Sequence, residues 1–315
     1  MANAPTVARA EVVLTAPGPA GPLQGAALLV PGAMAAVVII PGSGPTDRDG
    51  NSPPHMRTDS YRQLAETLAQ RGISSVRIDK RGMFGSTAAL ADPEDVTIAD
   101  YAGDAREWAA TLARETGLEC VWLAGHSEGG LVALAATSGA LPPAEICGVI
   151  LLAAPGRRIG TLMREQLRAN PANAPLLSEF ESVIDVLEAG GRVDPETLSP
   201  AIRPLFRTGL QRYMVDLFSY DPATLAAGMR LPMLIVQGDR DIQVRLTDAA
   251  ALAKARPDAR LVEVAGMTHM LKADQPGAPF ATYSDPSLPL MSEVPDAIAD
   301  FLLPAEPAAG AAPGD

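Results

Sequence analysis

Short runs rich in Val, Ile and Leu punctuate the chain at residues 37–40, 74–78, 119–124, 146–153, 233–237 and 260–264. Their length and composition predict strands, most of them buried on both faces. Longer helical patterns fill the intervals at 60–71, 99–116, 131–139, 248–256 and 293–301, with Asp59 and Thr247 as expected N-caps. Strands that alternate with helices predict the α/β class, a mostly parallel central sheet flanked by helices. Two further runs, 9–14 and 23–30, predict an antiparallel hairpin that turns at Pro17-Gly18-Pro19 and leads into the sheet.

The alternation breaks after residue 156. From 157 to 231 the chain reads as helices separated by Asn170-Pro171, Gly190-Gly191 and Asp221-Pro222, with no strand run. A helical insertion between two sheet strands predicts a cap on a core made of residues 1–156 and 232–303. Residues 304–315 are almost entirely Ala, Pro and Gly, cannot form a core face, and are expected to be a disordered tail.

Composition narrows the function classes. With 315 residues the chain can bury a large core, and a net charge of −12 repels nucleic acid and anionic membrane surfaces. The insertion carries nine basic and nine acidic side chains between Arg157 and Arg230, so it is neutral and an anionic substrate stays open. The first fifteen residues have no charged start followed by an apolar core, and no apolar stretch reaches the ~18 residues of a membrane helix. Cys120 and Cys147 each open an apolar run and read as small, reduced core residues, with no support for a disulfide or a zinc site. These readings together predict a cytoplasmic protein that needs no metal or organic cofactor.

One hexapeptide carries chemistry. Gly125-His126-Ser127-Glu128-Gly129-Gly130 lies between a strand run and a helical run, the layout of a nucleophile elbow. A serine on so tight a turn projects its hydroxyl above the sheet, and the flanking glycines allow the turn. Such a serine needs a base, and the chain has three histidines. His126 adjoins the nucleophile and points away from it on an elbow, His55 lies in a Pro-rich loop, and His269 follows the last predicted strand. His269 is therefore the candidate base. The carboxylate that orients it is expected in the run Gly238-Asp239-Arg240-Asp241, with Asp241 favoured and Asp239 second. Two amides must bind the oxyanion. The Glu128 N–H is one, and the loop Pro41-Gly42-Ser43-Gly44-Pro45 offers the other from Ser43, with Gly44 close behind.

These motifs, in the order Ser, Asp, His, resemble an α/β-hydrolase-fold serine esterase over roughly residues 10–303. The string Pro41-Gly42-Ser43-Gly44-Pro45-Thr46-Asp47-Arg48-Asp49-Gly50-Asn51 resembles a bacterial carboxylesterase subgroup related to serine aminopeptidases and acylaminoacyl peptidases. The run from Asp79 through Arg81 and Gly82 to Ser86 is similar to a loop that supports the site in that superfamily. The resemblance implies Ser127, Asp241 and His269 as a triad beneath a helical cap. One departure is Pro41, where many relatives have His; the backbone donor is unaffected.

Around this site, Arg48 is a candidate carboxylate holder, with an Asp47-Arg48-Asp49 ion-pair cluster that fixes the loop as the alternative. Gly44, Met83, Phe84, Met267 and Met270 are candidate pocket residues, and core packing explains the large ones equally well. The expected function is hydrolysis of a small ester through an acyl-enzyme. The alternatives are amide cleavage by an aminopeptidase or acyl-peptide hydrolase with the same triad, and a non-catalytic binding module on the same fold. Epoxide hydrolase and dehalogenase chemistry is disfavoured, because those enzymes place Asp at the elbow.

Overall fold

The computed structural model describes residues 10–92, 94–139 and 143–303. Strands β1 (Val12–Ala16), β2 (Leu23–Leu28), β3 (Ala36–Ile40), β4 (Ser74–Ile78), β5 (Val121–His126), β6 (Ile146–Leu152), β7 (Met233–Gly238) and β8 (Arg260–Val264) form a single sheet. Their order is β1-β2-β4-β3-β5-β6-β7-β8. Strand β2 pairs antiparallel with β1 and β4, and every pairing from β4 to β8 is parallel. The expected lead-in hairpin is thus present, while Arg9, where that run was expected to start, lies outside the described residues.

The side-chain period of two divides each central strand between two cores. Val38, Ile40, Val149, Leu151, Met233 and Ile235 face α2 (Ile98–Thr116), α3 (Glu128–Ala136) and α8 (Leu246–Ala255). Val37, Ile39, Ile150, Leu152, Leu234 and Val236 face α1 (Ser60–Gln70) and α10 (Glu293–Leu302). Between β6 and β7 run α4 (Ile159–Ala169), α5 (Leu177–Glu188), α6 (Thr208–Ser219) and α7 (Pro222–Gly228), with no strand among them. Phe180, Ile184, Phe206 and Phe218 of this segment bury into the core on the α2–α3 side. A short α9 (Ala281–Ser284) precedes α10.

Several boundaries differ from expectation for physical reasons. Helix α3 begins at Glu128, ahead of the expected 131, because Gly129 and Gly130 enter the helix for close packing. A Cβ on Gly129 would lie 2.4 Å from the Ile40 carbonyl oxygen, and one on Gly130 would lie 2.4 Å from the Ala154 Cβ. Asp59 occupies the N-cap position of α1 without a capping hydrogen bond; its carboxylate accepts from Asn51 Nδ2 at 2.8 Å and pairs with Arg62. Thr247 lies inside α8, whose N-cap is Arg245, and Asp248 reaches back to accept the Arg245 N–H at 3.3 Å.

The cysteine expectation is overturned. Cys120 and Cys147 form a disulfide with Cα atoms 5.2 Å apart, and no free cysteine remains. The residues are separated by 27 positions, and only the pairing of β5 with β6 brings them together. The ladder passes from Val121↔Ile146 to Trp122↔Gly148, which leaves Cys147 as the extra residue of a bulge beside Cys120. The cytoplasmic reading loses the support that reduced thiols gave it. No helix among the described residues is long and apolar enough to cross a membrane. The tail from 304 to 315 lies outside the described residues.

Candidate active site

Because β4, β3, β5, β6, β7 and β8 run parallel, the loops that leave their carboxyl ends emerge along one edge of the sheet. The sequence motifs occupy that edge. Ser127 follows β5 with φ 55° and ψ −124°, in a region that non-glycine residues avoid, and Glu128 starts α3 immediately after it. The conformation is held by the Ser127 N–H donating to Leu152 O at 2.9 Å and the Gly130 N–H donating to Ser127 O at 2.9 Å. A Cβ on Gly125 would sit 2.0 Å from the Gly129 carbonyl oxygen, so the tight turn demands glycine there.

His269 Nδ1 bonds to Asp241 Oδ2 at 2.7 Å, with both residues buried. Asp241 also accepts the N–H groups of Gln243 at 2.8 Å and Val244 at 2.9 Å, and Gln237 Nε2 at 3.1 Å. Burial alone pushes its pKa up, but His269 and the converging donors outweigh burial and hold it below the usual carboxylate value. Asp239 instead accepts the Gly266 N–H at 2.6 Å and lies 4.0 Å from Arg240, so it braces the turn. Gly238 serves a close approach: a Cβ there would meet Met267 O at 2.0 Å, where the histidine loop crosses the end of β7. Ser127 and His269 line one cavity of about 70 Å³. No hydrogen bond joins the Ser127 hydroxyl to the His269 ring, and such bonds are commonly long until substrate closes them.

A buried relay ties the three loops together. The Gly42 N–H donates to Tyr61 Oη at 3.1 Å, Tyr61 O–H donates to His126 Nδ1 at 2.8 Å, and His126 Nε2–H donates to the His269 carbonyl at 2.7 Å. That carbonyl acceptor fixes the His126 tautomer. Burial, with His269 nearby, pushes His126 down to about 3, so its ring is neutral near pH 7. His126 is a strut of the site. Tyr61 carried no sequence signal, since a tyrosine on a helix face gives no hint of its partner.

The loop after β3 and the turn after β5 carry the two amides expected for an oxyanion. Among the described residues the N–H groups of Ser43 and Glu128 have no hydrogen-bond acceptor. Lys80, after β4, donates to the carbonyls of Gly42 at 2.7 Å and Gly44 at 2.6 Å, and its ammonium stands 5.5 Å from the centre of the Tyr101 ring. Burial lowers the Lys80 pKa, against the raising influence of the Glu128 carboxylate. The Glu128 side chain is buried, and its carboxylate helps burial to raise the pKa of Tyr213 of α6.

Of the candidate pocket residues, Met270 lines the cavity with Ser43, and the others do not. Met267 is fully buried in the core beneath the sheet. Met83 and Phe84 belong to the turn after β4, with Phe84 exposed. Gly44 gives its carbonyl to Lys80. Arg48 donates its N–H to Asp79 at 2.9 Å and pairs with the same carboxylate at 3.3 Å, Asp49 pairs with Arg77, and Asp47 accepts the Asn51 N–H at 2.8 Å. The Asp-Arg-Asp cluster thus fixes its loop. Next to the cavity, and sharing Gln243 with it, a groove of about 990 Å³ runs between the end of α4 and the turn after β7, bordered by Ile242, Leu246 and Phe280. Gln166 of α4 donates to the Gln243 carbonyl at 3.0 Å.

Residues 37–282 match the alpha/beta hydrolase family. Over 249 residues the chain is 27% identical to Esterase EstD of Thermotoga maritima, covering 76% of this chain and 55% of that protein. The chain therefore spans about half the length of this curated relative. Among solved structures, Est1E from Butyrivibrio proteoclasticus superposes with a TM-score of 0.56 at 17% identity, covering 92% of this chain and 97% of that one. A thermophilic esterase from Thermogutta terrifontis gives 0.54 at 20% identity, covering 93% and 98%. Dienelactone hydrolase from Anabaena variabilis gives 0.52 at 17% identity, covering 93% and 96%. At these identities the likeness is one of fold.

Proposed function

The chain belongs to the alpha/beta hydrolase family, and from that premise we propose that it is a serine carboxylesterase acting on small esters through an acyl-enzyme. The observation that carries the reading is the buried Asp241–His269 pair, whose histidine shares a cavity with a serine held at positive φ. Ser127 Oγ attacks the ester carbonyl as His269 Nε2 takes its proton, and Asp241 holds the imidazole and stabilises its charged form. The Ser43 and Glu128 amides receive the oxyanion. His269 then returns the proton to the departing alcohol, and water repeats the sequence on the acyl-enzyme. No step calls for a metal or organic cofactor. Helices α4 to α7 act as the cap, and the groove beside α4 accommodates the part of the ester that the small cavity cannot hold.

An ester is favoured over a peptide because, among the described residues, no carboxylate lines the cavity around Ser127, and the two that border the groove, Asp239 and Asp241, are engaged by the Gly266 N–H and by His269. The Cys120–Cys147 bridge favours an oxidising compartment over the cytoplasm. Ser127→Ala is expected to lower turnover of a nitrophenyl ester by about 10⁴- to 10⁶-fold. Retention of more than a tenth of the activity sinks the serine mechanism. Labelling of Ser127 by an organophosphonate separates an enzyme from a binding module, and a faster rate on amino-acid anilides than on aryl esters overturns the ester preference.

A further inference from the structure

Lys80 is an unusual residue to find behind a hydrolase cavity. Its ammonium is buried, and the Glu128 carboxylate supports its charge against that burial. Placing a cation there is costly unless the charge has a task, since a methionine of similar volume fills the same space without desolvation. The structure shows where the charge is directed. Lys80 borders a small interior void with Pro41, Tyr101 and the carboxylates Asp79 and Asp104, which are themselves held by Arg48 and Arg81, whereas Ser43 and Ser127 border the cavity. The loop after β3 separates the two, with Lys80 bonded to it from the inner side.

We infer that Lys80 is a positioning residue for the oxyanion donor: by holding the Gly42 carbonyl it aims the Ser43 N–H into the cavity. This rests on the serine esterase reading and adds a residue to it. The peptide bond from Gly42 to Ser43 is planar and trans, so its C=O and N–H point in opposite directions. A hydrogen bond of 2.7 Å that draws the Gly42 oxygen towards Lys80 therefore turns the Ser43 N–H away from Lys80. Among the described residues no other hydrogen bond holds that peptide plane. Tyr61 holds the preceding N–H, the Thr46 hydroxyl takes the Ser43 carbonyl at 2.9 Å, and the Gly44 carbonyl is shared by Lys80 and the Thr46 N–H. The cation also polarises the amide it holds, which strengthens the N–H as a donor. A Cβ on Gly42 would lie 3.3 Å from the Ser127 Cβ, a tight contact that shows how closely the loop approaches the serine.

The test compares Lys80→Met and Lys80→Gln with the unaltered enzyme, each normalised to active sites titrated with an organophosphonate. For a nitrophenyl ester, Lys80→Met is expected to lower kcat about 10- to 100-fold with KM within about threefold, because a misaimed donor costs less than the 10²–10³ of a missing one. An arylboronic acid, whose tetrahedral adduct on Ser127 mimics the oxyanion, is expected to bind more weakly by a similar factor. Lys80→Gln keeps a donor without the charge, is expected to fall between the two, and carries the same measurement if the methionine variant does not fold. Normal kcat per titrated site overturns the inference, and so does a fall in kcat with unchanged boronate affinity, the mark of a merely structural role. Activity surviving in Ser127→Ala is a separate outcome that overturns the serine reading instead.

Discussion

The floor of the cavity and the helical insertion are held in different ways. The floor is a set of buried, directed bonds: Tyr61 to His126, His126 to the His269 carbonyl, Lys80 to Gly42, and Asp241 to His269. The insertion packs an apolar side into the core and is otherwise tied down by ion pairs with exposed partners, such as Arg168 with Glu181 and Arg212 with Asp95. In the dry floor each lost bond leaves an unsatisfied group, whereas water replaces most surface pairs. The insertion can thus change its surface with little effect on the reacting geometry. Firmer ties are made by Arg157, which grips both Glu165 and the fully buried Asp248, by Asp216, which accepts the Ile98 N–H at 2.7 Å, and by Gln166 on the Gln243 carbonyl.

That contrast can be broken at several points. The largest effect is expected at the carboxylate: Asp241→Asn should lower kcat by about 10³- to 10⁴-fold, and Asp239→Asn by less than tenfold, in steady-state esterase assays. Equal losses would erase the distinction between triad and turn. Next comes Tyr61→Phe, which strands the Gly42 N–H and His126 Nδ1 in a dry site; chemical denaturation should show a loss of about 1–3 kcal/mol together with lower kcat.

A smaller effect is set by pH. His126 has a folded pKa near 3 against 6.5 for the free side chain, so below pH 6.5 the unfolded chain takes up a proton that the native state refuses. Stability from this group is therefore complete above pH 6.5 and declines on acidification towards pH 3, by up to about 1.4 kcal/mol per unit. His126→Gln should flatten the fall in melting temperature between pH 7 and pH 5, and an unchanged slope counts against a buried neutral ring. The smallest effect is expected within the insertion: Arg168→Ala should cost no more than about 1 kcal/mol. Arg157→Ala, which strips a buried carboxylate of its partner, should cost about 2–3 kcal/mol, with kcat per folded molecule nearly intact for both. A large fall in kcat from Arg168→Ala would join the insertion to the catalytic floor.

Strands were legible as short runs of branched aliphatic residues between turns, even where polar residues interrupt them, as Arg77 does in β4 and Glu263 in β8. Residues 74–78 and 260–264 match β4 and β8 end to end, because composition and bounding turns leave few alternatives over five residues. The start of α3 was not legible, since Gly129 and Gly130 read as poor helix formers until the Ile40 carbonyl and Ala154 are seen against them. The insertion could be recognised as helical, but not where Gln166 or Tyr213 would land. Within the site, residue types and chain order suggested Ser127 and His269, while Asp239 and Asp241 both fitted the same turn. Only the Gln237, Gln243 and Val244 donors around Asp241, and the Gly266 N–H on Asp239, separate them.

The sequence by itself determined the elbow and the alternation, because both are local. A turn that tolerates only glycine at position 125, and strands too apolar to face water, follow from backbone sterics and hydration within a few residues. Tertiary structure alone decided the disulfide, the choice of Asp241, and the part played by Lys80 and Tyr61. Each of these depends on which loops the strand order places side by side. With β3 between β4 and β5, Lys80, Gly42 and Ser127 leave adjacent strands and meet at one edge of the sheet. Likewise, only the β5–β6 pairing sets Cys120 beside Cys147.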